Sequence, residues 1–425
     1  MTAVETTTLV RSQYEWLPYP PRDPEEERRR LVESHTHALP LVTALGFAGR
    51  RDLRAGARVL VAGSGTGDGE VFLGEQLRDA DVEIVAIDLS STSIEIARRR
   101  AEIRGLTNIR WIQGSLLDLP GMGVGAFDYV ACTGVLHHLE DPDAGLAALR
   151  AVLAPGGALG LMVYGRYGRA AVYQMQTLLR LLLEDTDDPT RRLDLTRAVL
   201  SHLPVTNWFA RTQDLVRDHV SHGDAGIVDL LLHPTDRAYS VPELYDLVEA
   251  AGLTLIDFVH HRAAYDPAVL IVDPAVRDEV LARPRRERQA IAELLGGGLT
   301  RHFVYCAVDE RDPAAPADDM VPYLWADRNH REVAETLEEM GECTLRSRTG
   351  ARLRVTRRTP ATVRLFEALD GRTPVGRLGA GLSDEMRELV LEEFQHWWKV
   401  MHYGHQLVLR HRSIAPFTLP GEKGA

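Results

Sequence analysis

Between residue 57 and about residue 163, short apolar runs alternate with longer stretches whose apolar positions recur at helical spacing. The first pattern is that of a buried strand, the second that of an amphipathic helix. Together they predict strands at 58–62, 83–88, 109–112, 128–132 and 158–164, with helices over about 68–78 and 91–104. Strands separated by helix-length segments require right-handed crossovers, so these strands are expected to lie parallel in one sheet.

The alternation stops after Tyr164 and resumes with Tyr239 to Gly252, where Pro242 in the first turn and Gly252 at the end mark a helix. Strands at 254–260 and 302–308 then complete a mostly parallel sheet of seven strands, an α/β architecture. Two segments are left over, 165–238 and 262–300. The first leaves a strand at the carboxyl edge, where ligands bind in open α/β sheets, and is expected to be a helical lid. Residues 309–319 are acidic and proline-bearing without apolar period, as linkers are. Beyond them, runs at 343–348 and 352–357 flank a Thr349-Gly350-Ala351 turn, followed by helices at 360–369 and 383–402 and a strand at 406–412. The expected organisation is an N-terminal helical cap on the substrate side (1–56), a main domain (57–311) with its insertion at 165–238, and a small α+β, winged-helix-like accessory domain (320–425).

Composition narrows the partners more than the fold. The formal net charge of −12 argues against a general affinity for nucleic acid, because a phosphate backbone rewards basic patches. Cys132, Cys306 and Cys343 are scattered and show neither disulfide-framework nor zinc spacing, which suits a reducing cytoplasm. No secretory pattern opens the chain and no 18-residue uncharged apolar run occurs, so a cytoplasmic protein without a membrane partner is expected. The pairs His35/His37, His219/His222 and His260/His261 lack supporting Asp, Glu or Cys at ligand spacing, and no metal is expected. The Arg28-Arg29-Arg30 run after Glu25-Glu26-Glu27 reads as a solvated helix with ion pairs one turn apart. Oligomeric state is left open.

The candidate chemistry begins where the first strand runs into Gly63, Gly65 and Gly67, with Asp88 closing the next strand 25 positions after Gly63. Glycines let the turn press against a ligand, and the acid is placed to accept from two ribose hydroxyls. NAD, FAD and S-adenosylmethionine all carry that ribose.

The glycines fall as G-x-G-x-G, and the chain continues with Gly114 to Pro120, Phe127 to Leu139 and Leu153 to Gly157. In this order the blocks resemble the class I, Rossmann-like S-adenosylmethionine-dependent methyltransferases. The resemblance implies that S-adenosyl-L-methionine is the cofactor. It puts Gly63, Ser64, Gly65 and Gly67 around the methionine half, Asp88 on the ribose, Leu89 beside the adenine, and Gly114, Ser115 and Leu116 along the adenine edge. Many relatives carry Gly-Asp at Gly114-Ser115, so Ser115 or Asp118 is expected to replace the missing carboxylate. Thr133 and Gly134 should pass near the cofactor's amino-acid moiety. His137 and His138, on the turn that follows, are catalytic candidates, although adjacent histidines cannot both point one way. Tyr14 and Tyr19, in an aromatic segment ahead of the first strand, and Tyr164, at the start of the insertion, are candidates for the acceptor side. Tyr167, Tyr173, Asn207, Trp208 and Asp224 in the insertion carry the same expectation. The segment at 369–373 weakly resembles accessory domains of bacterial methyltransferases, including protein-lysine methyltransferases.

Methyl transfer from a sulfonium is an in-line displacement on an electrophile that the cofactor has already activated. An alcohol or ammonium acceptor needs a positioned base as well, and the sequence alone assigns none. The leading expectation is methyl transfer to O or N of a small metabolite. The alternatives are a polypeptide acceptor held by the C-terminal domain, or a cofactor-binding scaffold without turnover.

Overall fold

The computed structural model describes residues 3–259 and 262–417. The main sheet is built from β1 (Arg58–Ala62), β2 (Glu83–Asp88), β3 (Ile109–Gln113), β4 (Phe127–Thr133), β5 (Leu153–Gly165), β6 (Ala238–Tyr239), β7 (Thr254–Phe258) and β8 (Arg301–Ala307). Its strand order is β3-β2-β1-β4-β5-β8-β7, with the two-residue β6 paired to β5. Only β8 runs against its neighbours β5 and β7. The seven expected strands are therefore present, within a residue or two at most ends. Residue 260, the expected end of the strand at 254, lies outside the described residues.

Both faces of this sheet are covered, which is why its strands read as near-continuous apolar runs rather than alternating ones. Val59 and Val61 pack with Phe72 and Leu73 of the helix Asp68–Gln76 and with Leu41, Val42 and Leu45 of the N-terminal segment. Leu60, between them in sequence, belongs to the opposite cluster, with Leu146 and Leu149 of the helix Pro142–Ala151 and Leu244 and Val248 of the helix Val241–Ala250. The buried hydroxyls of Tyr129 (3.0 Å) and Tyr305 (2.9 Å) both donate to the carbonyl of Thr36, which ties the N-terminal segment to the middle of the sheet.

The insertion leaves the carboxyl end of β5 and returns to the same place, since Tyr164 pairs with Ala238 and Gly165 with Tyr239. Between these ends it forms the helices Ala170–Leu182 and Pro189–Ser201 and several shorter ones. It has its own small core of Val172, Met175, Leu179, Phe209, Leu230 and Leu231. Such a loop can stand only over the carboxyl edge.

In the C-terminal region, β9 (Met320–Leu324) pairs antiparallel with β12 (Leu407–His411), and β10 (Glu342–Arg346) forms the expected hairpin with β11 (Arg352–Thr356). The helices His330–Met340, Pro360–Ala368 and Asp384–Met401 enclose Val333, Leu337, Phe366, Phe394 and Trp397. The segment expected to be a linker is tied down by backbone contacts that its composition does not reveal. Arg311 donates to the carbonyls of Gly46 and Gly157, and the Ala314 amide donates to Ala44. Met320 and Leu409 join the same core as Leu45 and Tyr305, so this region is continuous with the main domain.

Candidate active site

Gly63 and Gly65 have φ of +74° and +54°, a left-handed backbone that costs other residues about 1–2 kcal/mol. The space is closed as well. A Cβ on Gly63 would lie 2.2 Å from Cγ2 of Val135, and one on Gly65 would lie 3.0 Å from the carbonyl oxygen of Tyr19. Gly67 serves a different purpose, because its missing Cβ would meet Ala97 at 2.9 Å. It permits close packing of the helix Ser91–Ile103 and does not line the cavity described next.

Asp88 is fixed by the turn it serves. Its Oδ2 accepts from the Gly65 amide at 2.7 Å and its Oδ1 from the Ser90 amide at 2.9 Å. Burial raises its pKa, and these backbone donors oppose the rise. A carboxylate has about four lone-pair sites, so two remain for a ligand. Gly63, Ser64, Gly65, Asp88, Leu89, Gly114, Ser115, Leu116, Thr133 and Gly134 all line one cavity of about 470 Å³. Of the residues that the resemblance assigns to the cofactor, Gly67 alone is missing from it. Ser115 Oγ caps the following turn through the Leu117 amide at 3.2 Å, whereas Asp118 does not reach the cavity. The buried hydroxyl of Ser64 and Nε2 of His37, both on residues lining the cavity, have no hydrogen-bond partner among the described residues. A glycine cradle, a ribose-ready carboxylate and orphaned polar atoms fit an adenosyl sulfonium cofactor.

The N-terminal segment is strapped over this cavity by charge. Glu15 accepts from the amides and hydroxyls of Ser91 and Thr92, capping the helix that follows Asp88. Burial pushes its pKa up, but those four donors bring it down to about 2. Arg22 grips Asp68 with two hydrogen bonds, of 2.8 and 2.5 Å. Arg100, which is fully buried, bridges Glu27 (2.7 Å), Asp68 (2.8 Å) and the carbonyl of Thr66 (2.6 Å). The acidic and basic run is therefore only partly solvated: Arg28 and Arg30 pair with Glu25 and Glu26 on the surface, while Glu27 is buried against Arg100.

The strap and the insertion meet through two tyrosine–aspartate pairs. Tyr14 donates to Asp229 at 3.0 Å, and Tyr19 donates to Asp218 at 2.6 Å. Burial raises the pKa of Asp229 against the opposing effects of His138 and Tyr14. For Asp218 burial acts upward too, but the Tyr19 bond and nearby arginines carry the net shift downward. Both tyrosines line the cavity, as do His222, Ser221, Arg169 and Arg301.

The adjacent histidines divide as expected. His138 lines the cavity, while His137 is fully buried, packs tilted against Tyr164 with centroids 3.8 Å apart and has no hydrogen bond on either ring nitrogen among the described residues. Burial first, then the neighbouring His138 and Arg169, depress its pKa well below the usual imidazole value. Nδ1 of His138 donates to the carbonyl of Thr235 at 2.9 Å, and Nε2 is bonded by no described residue. That bond selects the tautomer with a free Nε2 lone pair. Tyr164 lines the cavity with its ring beneath the Arg169 guanidinium, 3.4 Å from the ring centroid.

The insertion reaches the cavity with residues other than those expected. Tyr167 is exposed, Tyr173 donates to Asp236, and Asn207 caps the helix Trp208–Thr212; none of these lines the cavity, nor do Trp208 and Asp224. Asp218, His222 and Asp229 were missed because their environment is set by partners some 200 positions away: Tyr19–Asp218 spans 199 residues and Tyr14–Asp229 spans 215. Arg169 carried a usable signal, a charge four residues into an insertion that leaves the ligand edge. Among the described residues no group of three or more His, Cys, Asp or Glu could hold a metal ion. The side chain of His35 and the whole of His260 and His261 lie outside the described residues.

The chain is similar to known proteins in sequence and in fold. Residues 59–157 match the family described as Methyltransferase domain. An uncharacterized protein of Synechococcus sp. is 33% identical over 303 residues, 70% of this chain and 71% of that one. The Ubiquinone biosynthesis O-methyltransferase of Xanthomonas oryzae pv. oryzae is 34% identical over 153 residues, 35% of this chain and 62% of its own length. Among solved structures, PKMT2 from Rickettsia typhi in complex with AdoHcy has the same fold, with TM-score 0.62 at 14% identity over 89% of this chain and 76% of that one. The chain belongs to the methyltransferases: residues 59–157 carry their domain, within the class I, Rossmann-like fold.

Proposed function

We propose that this enzyme transfers a methyl group to a hydroxyl or amine of a small metabolite bound between the N-terminal strap and the insertion. Bound S-adenosylmethionine supplies an activated methyl on a sulfonium. In this reading Gly63, Ser64 and Gly65 cradle its methionine half, Asp88 holds the ribose hydroxyls, Leu89, Gly114, Ser115 and Leu116 border the adenine, and Thr133 and Gly134 run beside the amino-acid moiety. His138 is the base: Thr235 fixes its tautomer, and its free Nε2 takes the proton of the attacking group. Tyr14, Tyr19 and Tyr164 wall the acceptor and exclude water, with His137 buttressing Tyr164 from behind.

The single observation that carries the reading is that the ribose acid and a tautomer-fixed imidazole line one cavity of about 470 Å³. That is a volume for small molecules. The polypeptide reading has less support, since no residue of 320–417 lines this cavity. The O-methyltransferase named among the relatives agrees with a hydroxyl acceptor over the region that it shares. The test is incubation with methyl-labelled S-adenosylmethionine and size-fractionated cell extract. Label in small molecules supports the proposal, label in protein replaces it with the polypeptide reading, and no transfer leaves a binding scaffold. No described helix is long and apolar enough to cross a membrane; from the scattered cysteines we place the enzyme in the cytoplasm.

A further inference from the structure

Arg169 sits where the insertion leaves the sheet, 2% exposed, lining the cavity with its guanidinium carbon 3.4 Å from the centroid of the Tyr164 ring. Among the described residues, Nε and Nη2 have no hydrogen-bond partner. Burying a guanidinium with unpaired donors is costly, and such a group is ordinarily paired or bonded to a ligand. The nearest carboxylate is Asp236, whose Oδ2 lies 3.6 Å from Nη2, close enough to balance charge but too far for a hydrogen bond. Asp236 is already occupied by the Tyr173 hydroxyl at 3.0 Å and the Gln176 amide at 2.7 Å. The other two acids nearby, Asp218 and Asp229, are occupied by Tyr19 and Tyr14. None of these three acids accepts a hydrogen bond from Nε or Nη2 of Arg169 among the described residues, so those two donors are left for a ligand.

Resting on the methyltransferase reading and deepening it, we propose that the acceptor is a hydroxy acid whose carboxylate is held by Arg169. A planar guanidinium matches a carboxylate with paired hydrogen bonds, and its cation–π contact with Tyr164 holds it at the cavity wall. The same Tyr164 ring packs edge-on against His138, with centroids 5.6 Å apart. The anion site and the base therefore flank one aromatic ring, which suits a compact acceptor with carboxylate at one end and nucleophilic oxygen at the other. In the transfer, the acceptor oxygen forms the new bond to the methyl carbon as the sulfonium–carbon bond breaks, its electron pair stays on sulfur, and the acceptor proton passes to His138 Nε2. Arg169 takes no proton and acts as a specificity residue.

The test titrates 4-hydroxybenzoate and its neutral amide, 4-hydroxybenzamide, into the full-length protein saturated with S-adenosylhomocysteine. The expected result is that the acid binds at least tenfold tighter than the amide, that Arg169→Gln erases this preference, and that Arg169→Lys retains part of it. Affinity for S-adenosylhomocysteine should stay within threefold in both variants. Equal affinity for acid and amide in the unmodified protein, or binding of neither, overturns the proposal, and this comparison stands even where a variant fails to fold. A parallel loss of S-adenosylhomocysteine affinity in Arg169→Gln also overturns it, because the arginine would then hold the cofactor's own carboxylate. Failure of the unmodified protein to bind S-adenosylhomocysteine would instead sink the methyltransferase reading beneath it.

Discussion

The two ends of the cavity are made by different means. At the glycine-turn end, the chain uses backbone: left-handed glycines, the amides of Gly65 and Ser90, and one carboxylate, all between residues 63 and 134. At the far end it uses side chains from the strap, the turn after β4, the end of β5 and the insertion, joined by bonds that span about half the chain. A backbone cradle is specified by a short contiguous motif. An acceptor pocket assembled from distant side chains can change its ligand without disturbing that motif, so a shared cofactor end and a private acceptor end are the natural outcome.

The comparison breaks first at His138. His138→Ala is expected to lower the transfer rate by about 10²- to 10⁴-fold, the usual worth of a general base, while S-adenosylhomocysteine affinity stays within about threefold. Single-turnover kinetics with calorimetry checks both halves of that statement. Gly65→Val should act in the opposite sense. A β-branched side chain at φ +54°, with Cβ 3.0 Å from the Tyr19 carbonyl, should weaken S-adenosylhomocysteine by about 100-fold, or ~2.7 kcal/mol, with helical circular dichroism retained. Asp88→Ala should follow, at about tenfold or more, since a hydrogen bond to a charged group contributes about 1.5–3 kcal/mol.

The asymmetry also explains what could be read in advance. That the glycine turn, Asp88, Gly114 to Leu116 and Thr133-Gly134 line one cavity was legible because each lies at a strand end whose place is set by local backbone pattern. Gly67 was placed with them by spacing, and only the packing against Ala97 separates it. Glu27 read as part of a solvated run and neither Arg22 nor Arg100 drew any reading, since burial of an ion pair is decided by tertiary packing that composition does not encode. Tyr14 and Tyr19 were visible as an aromatic cluster, but their partners Asp229 and Asp218 were not. The linker was misjudged for a related reason: Arg311 and Ala314 dock through main-chain carbonyls and amides, which carry no sequence signature.

The smallest effect sharpens the picture of the glycine-turn end. Glu70, in the first turn of the helix after Gly67, is fully buried with neither carboxylate oxygen bonded by another described residue, and burial pushes its pKa from 4.5 to about 8. The folded state keeps this proton up to about pH 8, whereas the unfolded chain releases it near pH 4.5, so stability falls as pH rises through that window. Glu70→Gln should remove the slope. We expect its Tm to exceed that of the unmodified protein by about 3 °C or more at pH 8 and to differ little at pH 5, by differential scanning calorimetry.

The division of the cavity is tested most directly by calorimetric titration of S-adenosylhomocysteine into three proteins: the unmodified chain, Asp88→Ala and His138→Ala. The account predicts one site per chain, an affinity reduced about tenfold or more by Asp88→Ala, and no change beyond about threefold in His138→Ala. Equal losses in the two variants would contradict it, because the imidazole would then belong to the cofactor's end and the acceptor would have to be held elsewhere.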